Sequence, residues 1–493
     1  MLDSSNAALA ARYDEIPYAA VPHPLTHPDR LATVATFFGR HPPDVARCRV
    51  LEVGCSDGAN LVPMAVALPH ARFVGCDLSA RSIEKGRLTI EALGLANVVL
   101  VGEDIAKLSP AHGTFDYIVA HGFLSWVPPH ARDALFALAR ERLSPDGVLY
   151  VSYNALPGCR IRQIAWDILH AHVDRIESSV ARVAEARRLA RMLADAGTTT
   201  LASDEAVRAE FRTIAARSDS AICHDDLAVP NDPFYFRDFV AHASRHGLAY
   251  VAEVDLHSMS GAGISAELRA YLSTLDPMSR EQYLDFARLR RFRQSLLQRS
   301  DAKGDLTVHP QRVAAMHVSA DPSLIRAAQE GKVGDLARAL DPTNGERGPV
   351  RALLDALVDR APAAMSIAEL RAIATTPPRP LEAILTDAFV SSIVALHVHP
   401  PALATTPSER PEASPLARYQ ARERDEVTTL AHTRVRLADA PTRRLLTLVD
   451  GTRDRAALAA AINGPAFAND RTQAQAFVDF SLAQFARLGL LRA

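Results

Sequence analysis

The sequence predicts an α/β protein: a doubly wound parallel sheet in residues 47–158, followed by helical, α+β and winged-helix-like parts. Three observations carry this. Short apolar runs, RVLEVG, ARFVGCD, NVVLVGED, FDYIVAHG and GVLYVSYN, recur between Arg49 and Asn154 with helical stretches between them, the cadence of parallel strands joined by crossover helices. The first run ends in glycine and passes directly into a helical stretch, VLEVGCSDGANL. After Pro157-Gly158 the texture changes to a 3.6-residue periodicity on alanine, leucine and isoleucine.

Taken in order, residues 1–46 are an extension dense in proline and histidine (VPHPLTHPDR), with an amphipathic stretch from Leu31 to Gly39 that reads as a helix. The strand-rich segment follows over 47–158. In 159–219, IRQIAWDILHAHVDRI and ARVAEARRLARMLADAG read as long helices that can pack on the sheet or on a second subunit, as in a homodimer. Residues 220–304 read as a separate α+β module: the proline-punctuated AVPNDPFYF, a helix, the strand-like LAYVAEVDL and an arginine-rich helix, REQYLDFARLRRFRQSLL. Residues 305–402 give three helices (VRALLDALVDR, SIAELRAIA, PLEAILTDAFV) and then the β-like IVALHVHP, the order of a winged-helix unit. A linker without periodicity occupies 403–415. Residues 416–493 return to helices around Asp450-Gly451-Thr452, a second winged-helix-like unit that reads as a distant copy of the first.

Composition narrows the function. A chain of 493 residues, 48% hydrophobic, exceeds one compact core. Its 55 basic and 57 acidic residues nearly cancel, which argues against nucleic acid or an anionic membrane as the main partner. Only four of the basic residues are lysine, the mark of a GC-rich coding sequence. The arginines from Arg288 to Arg293 would spread over more than one face of a helix that also carries acids, so they read as a salt-bridged surface. Residues 416–493 hold 12 arginines against eight acids, too small an excess for DNA binding. Cys48, Cys55, Cys76, Cys159 and Cys223 form no CxxC pair, so neither a disulfide framework nor a metal site is expected and a reducing cytoplasm fits. MLDSSNAALAARYDEIPY has charges where a signal peptide needs an apolar core, and no apolar run approaches the ~18–20 residues of a membrane span.

The chemistry concentrates in Glu52-x-Gly54-x-x-x-Gly58. Glycines 54 and 58 let the backbone turn tightly beneath a ligand. A dinucleotide loop would also need glycine at 56 and 59, where serine and alanine stand. With no diphosphate to hold, the loop suits the amino-acid end of S-adenosylmethionine, whose carboxylate and ammonium can meet backbone groups and the nearby acid. Asp77, 19 residues after Gly58 at the tip of the second strand, is placed to accept ribose hydroxyls. Asp104 and Ile105, after the third strand, suit the adenine amine and ring. Together the three signals describe a Rossmann-like domain with its ligand across the strand tips.

These residues resemble class I S-adenosylmethionine-dependent methyltransferases over the strand-rich segment. YDEIPY with THPDRLATVATFFG, HGFLSWVP, VSYNALPG, PNDPFYFRDF and RRFRQSLL extend the resemblance over nearly the whole chain, to bacterial methyltransferases that carry a methyltransferase regulatory domain. That group includes rickettsial protein-lysine methyltransferases acting on outer-membrane proteins. The resemblance implies S-adenosylmethionine as cofactor, held by Glu52, Gly54, Cys55, Gly58, Asp77, Leu78, Asp104, Ile105 and His121. It also implies a lid, with Tyr13, Asp14, Glu15 and Tyr18 on the N-terminal segment and Tyr13 on the cofactor.

Methyl transfer from a sulfonium is an in-line displacement, so the protein has to hold the nucleophile collinear with the methyl group and keep water out. A lysine acceptor, with a free pKa of ~10.4, must also lose a proton. His121, Trp126, Tyr153, Asn154 and Tyr18 are the catalytic candidates. His224, Asp225, Asn231, Phe234 and Tyr235 form a polar-aromatic loop placed to reach the pocket. Relatives often have tyrosine where Leu124 stands, a departure at the acceptor wall. The function read from the chain is methyl transfer to protein lysines. The alternatives are a small-molecule or peptide N- or O-methyltransferase of a biosynthetic pathway, and a non-catalytic cofactor-binding regulatory protein.

Overall fold

The computed structural model describes residues 15, 16, 18, 20–197, 201–304, 306–343, 347–464, 467 and 470–493. Helix α1 (Pro28–Phe37) precedes five parallel strands, β1 (Arg49–Val53), β2 (Arg72–Cys76), β3 (Val98–Val101), β4 (Phe115–Ala120) and β5 (Leu143–Asn154). Crossover helices α2 (Leu61–Ala67), α3 (Ala80–Ala92) and α4 (Pro129–Arg142) connect them. Both faces are covered, so the strands are apolar nearly throughout. Val50, Tyr117, Val119 and Val148 share a core with α1 and α2, while Leu51, Ile118, Leu149 and Val151 share another with α4.

Three helices follow, α5 (Cys159–Val173), α6 (Ser179–Ala194) and α7 (Ala202–Ala215), with their own core around Leu169, Ala186 and Phe211. One π-helical turn, Ile222–Asp226, ends this layer. Helix α8 (Phe236–Arg245) then leads to β6 (Leu248–Glu253), and α9 (Ala266–Leu272) and α10 (Pro277–Arg288) lead to β7 (Phe292–Arg299). Strand β7 pairs antiparallel with both β5 and β6, giving one seven-stranded sheet in the order β3-β2-β1-β4-β5-β7-β6. The stretch read from sequence as a separate module thus supplies the sheet's last two strands, covering the β5 edge that would otherwise be open.

The arginine-rich segment is not one helix. Leu289 adopts a left-handed conformation (φ 47°) that stops α10, and the chain re-enters the sheet three residues later. Arg293 is fully buried there, paired with Glu253 (2.6 Å), Asp285 (2.9 Å) and Glu281 (3.3 Å), its guanidinium 4.0 Å from the centre of the Phe236 ring. Arg288 donates to the carbonyls of Ser258 and Ser260, and Arg291 pairs with Glu210. The run is mostly internal cross-linking rather than a solvated surface.

Residues 306–402 form a three-stranded antiparallel sheet, β8 (His317–Ala320), β9 (Met365–Ser366) and β10 (Val394–His397), ordered β10-β8-β9 among short helices. Val318, Leu353 and Leu385 belong to the same core as α1. The C-terminal unit has the hairpin β11 (Glu426–Thr428) and β12 (Arg434–Arg436) and a separate core around Leu445, Val478 and Phe485. Cys48, Cys55, Cys76, Cys159 and Cys223 are buried, and none forms a disulfide among the described residues. Among the described residues no helix is long and apolar enough to cross a membrane.

Candidate active site

A cavity of about 370 Å³ lies across the C-terminal tips of the first five strands, where an open α/β sheet binds its ligands. At the tip of β1, Gly54 takes a left-handed φ of 72° and donates its N–H to the Cys76 carbonyl, bringing the loop under the β2 tip. Gly58 is also left-handed at 72°, and a Cβ there would meet Leu100 at 3.1 Å. Gly54 faces the cavity; Gly58 turns the loop into α2 and is not part of the cavity wall. Cys55 lines the cavity as a buried thiol, pushed well above its ordinary range by burial.

Asp77 ties the loop to β2. Its Oδ2 accepts the Ser56 N–H at 2.9 Å and its Oδ1 the Ser79 N–H at 2.8 Å. Burial raises its carboxyl, against the pull of these N–H groups. A carboxylate has about four acceptor positions, so two ribose hydroxyls still fit. Leu78 borders it, and Asp104 and Ile105 line the next strand tip, with Asp104 capping the turn through the Ala106 N–H.

Glu52 is buried, and burial pushes its carboxyl up to about 8. Its Oε1 accepts from Asn60 Nδ2 at 2.7 Å, whereas Oε2 is buried without a hydrogen-bond partner among the described residues. That oxygen, in the cavity wall beside the glycine loop, fits the ammonium of S-adenosylmethionine. Trp126 leaves a second such atom in the same cavity, a buried indole N–H without a partner among the described residues.

His121, at the tip of β4, stacks on His23 with ring centres 3.8 Å apart, and its Nδ1 lies 2.8 Å from Tyr150 Oη. Gln294 Nε2 donates to that oxygen at 2.7 Å, so Tyr150 links His121 to strand β7. Burial lowers the His121 pKa to about 3, with His23 adding to the effect. His121 is a neutral aromatic wall rather than a proton acceptor at physiological pH.

Phe123, Trp126 and Phe292 line the cavity with His121, and Asn154 enters from the β5 tip. Tyr153 does not reach it: adjacent strand residues point to opposite faces, so its ring packs 4.2 Å from Phe239 in the core. Tyr18, Ala20, Val21 and His23 from the N-terminal segment form one wall. Tyr13 and Asp14 lie outside the described residues. Glu15 instead accepts from Ser179 N–H at 2.9 Å, away from the cavity.

The loop predicted near 224–235 does reach the site. Asn154 Nδ2 donates to Asn231 Oδ1 (2.9 Å), and Asn231 Nδ2 donates to the Asp225 carbonyl (2.7 Å). Asp226 anchors the π-helical turn by accepting from Arg162, Arg217 and Trp166 at 2.9–3.1 Å. Its neighbour Asp225 lines the cavity, with its carboxyl raised to about 6 by burial and by Asp226, against the pull of Arg217 and Arg162. Phe234 packs beside Tyr153, and Tyr235 beside Phe286, so neither lines the cavity.

Sequence reasoning missed Asn60, His23, Phe292 and the arginines at 162, 217 and 291 that line the cavity. Asn60 alone had a local signal, following the glycine loop at the entrance to α2. Outside the cavity, Asp133 accepts from His242 (2.6 Å) and His246 (3.4 Å), fastening α8 to α4.

Three family models match the chain: a methyltransferase domain over residues 50–147, a predicted methyltransferase regulatory domain over 218–299, and the PKMT C-terminal winged helix domain over 409–476. The Rickettsia prowazekii protein RP789 is 36% identical over 295 residues, 59% of this chain, which spans about half (53%) of RP789. RP028 of the same organism is 32% identical over 236 residues, 47% of this chain and 94% of RP028. PKMT2 from Rickettsia typhi, also solved in complex with AdoHcy, shares the fold, with a TM-score of 0.81 at 23% identity over 96% of this chain and 100% of that one. With the glycine loop, the three acids at successive strand tips and the regulatory strands in place, the chain belongs to the class I S-adenosylmethionine-dependent methyltransferases that carry a methyltransferase regulatory domain.

Proposed function

We propose that this methyltransferase transfers methyl groups to lysine side chains of a protein acceptor. One observation carries the reading: Asp225, a carboxylate delivered by the regulatory segment, joins the cavity beside Asn154, Phe292 and Tyr18. The other acids of the cavity, Glu52, Asp77, Glu103 and Asp104, belong to the first three strands and their tips. When bound, S-adenosylmethionine supplies a methyl carbon made electrophilic by its sulfonium. Asp225 attracts the ammonium of an incoming lysine, and its carboxyl near 6 is ionised at neutral pH, ready to take up the proton the amine must shed. In that arrangement the amine lone pair would form the C–N bond as the C–S bond breaks, the C–S bonding pair staying on sulfur. The aromatic side chains Phe123, Trp126 and Phe292 exclude water and present ring faces that favour cationic groups. Arg217, 3.9 Å from Asp225, and Arg162 oppose that attraction, and their shorter pairing with Asp226, at 2.9 and 3.1 Å, offsets part of it.

The resemblance to rickettsial protein-lysine methyltransferases and the winged helix model at the C-terminus support a protein as acceptor. A homodimer through α5–α7 and a cytoplasmic location belong to the same proposal; five buried cysteines with no disulfide among the described residues suit a reducing compartment. The test is Asp225→Asn. It should lower kcat/KM for the acceptor by about 100-fold, in the range typical of a proton-transfer group, and leave S-adenosylmethionine affinity within about twofold. An unchanged kcat/KM would remove Asp225 from the reaction and with it the main support for an amine acceptor.

A further inference from the structure

Behind the wall of the cofactor pocket, in contact with its lining residue Asn60, lies a residue from the far end of the chain. His432 lies in the turn joining β11 to β12, closed by the Thr429 N–H bond to the Thr433 carbonyl (2.8 Å), and holds a left-handed φ of 59°. Its imidazole is buried, and Nε2 is 2.8 Å from Asn60 Oδ1, 372 residues away in sequence. The unit that carries it rests on α2, where Leu416 packs with Val62 and Val66.

Hydrogen-bond logic fixes the direction of this contact. The backbone N–H of His23 also points at Asn60 Oδ1, at 2.8 Å, and a backbone N–H can only donate. That end of the carboxamide is therefore the oxygen, and His432 Nε2 carries a proton and donates to it. Asn60 Nδ2 is then committed to donating, to Glu52 Oε1 at 2.7 Å and to Thr26 Oγ1 at 2.9 Å. Glu52, held at one oxygen, keeps its other oxygen free and buried in the cavity wall. His432 remains neutral, since burial and the neighbouring His27 and His23 press its pKa well below the usual histidine value.

We infer that His432 is a positioning residue for the cofactor: its donation to Asn60 holds the Asn60 amide on Glu52 and so aims the free Glu52 oxygen at the ammonium of S-adenosylmethionine. The C-terminal winged-helix unit thereby completes the cofactor site as well as standing beside it. The inference concerns the cofactor end of the pocket and holds whichever acceptor is methylated.

Calorimetric titration of S-adenosylmethionine into the full chain tests it. His432→Phe keeps a ring in the space and removes the donor; it should weaken binding about tenfold, the value of one hydrogen bond of ~1.4 kcal/mol. His432→Gln restores a donor at similar reach and should bind within about threefold of wild type. His432→Asn tolerates the left-handed backbone and is too short to reach Asn60, so it should lose affinity like the phenylalanine variant even where that variant folds poorly. In acceptor kinetics the loss should appear in KM for S-adenosylmethionine with kcat retained. Wild-type affinity in the phenylalanine and asparagine variants, or equal losses in the glutamine and phenylalanine variants, would overturn the inference.

Discussion

Burial opposes the ionisation of Glu52. Its carboxyl is pushed from 4.5 up to about 8, so the folded protein keeps a proton that the unfolded chain releases across that interval. Stability therefore falls as pH rises from about 4.5 to about 8. Glu52→Gln removes this dependence: its melting temperature should exceed that of wild type by a margin that grows over that interval, in thermal scans without cofactor. The same variant should bind S-adenosylmethionine more weakly, by roughly 10- to 100-fold, because the cofactor ammonium loses its carboxylate. A melting difference that does not change with pH would contradict the burial argument. Glu52, Gly54, Asp77 and Asp104 were legible in the sequence because each sits at or beside a strand tip with a fixed local spacing. His121 was legible as a pocket residue but not as a neutral one, since its burial against His23 of the N-terminal segment arises only on folding.

At the level of elements, two devices hold the scaffold in register. The glycine loop enters α2 through a left-handed Gly58 packed on Leu100, so Gly58→Ala should cost about 1–2 kcal/mol in denaturant unfolding from backbone strain alone. The β7 strand is fastened by Arg293 to three buried acids. Arg293→Met leaves Glu253 and Glu281 without their ion-pair partner and Asp285 with Arg290 alone, and should cost about 3–5 kcal/mol, whereas a loss below about 1 kcal/mol would mean that the cluster relaxes. The sequence misread this region because arginines at close spacing suit either an exposed helix or a strand whose long side chains reach buried acids. Glu253 and Asp285 come from different elements, so no local period records the pairing. Tyr153 was misread for a related reason: alternation along β5 separates it from Asn154, and only the packing of α8 reveals which of the two faces the core.

On the scale of the whole molecule, the sheet joins what the sequence divides. Its five parallel strands were legible from their cadence, whereas the pairing of β7 with β5 spans well over a hundred residues and left no local trace. A fragment ending at Gly158 would expose the β5 edge from Leu149 to Asn154 together with its apolar side chains. It should form oligomers or precipitate in light scattering, while a fragment ending at residue 304, which retains β6 and β7, should be more soluble. The regulatory segment thus completes the catalytic fold and contributes Asp225 to its cavity, while the C-terminal unit touches the lining residue Asn60 from behind through His432.

The central claim, methyl transfer to protein lysine in this cavity, is tested most directly by isotope-labelled S-adenosylmethionine incubated with the protein and a cell extract depleted of small molecules. Tryptic digestion and mass spectrometry then locate the label. Labelled methyl groups are expected on lysine Nζ, strongly diminished with Asp225→Asn. Label confined to other side chains, or appearing only when the small-molecule fraction is restored, would contradict it.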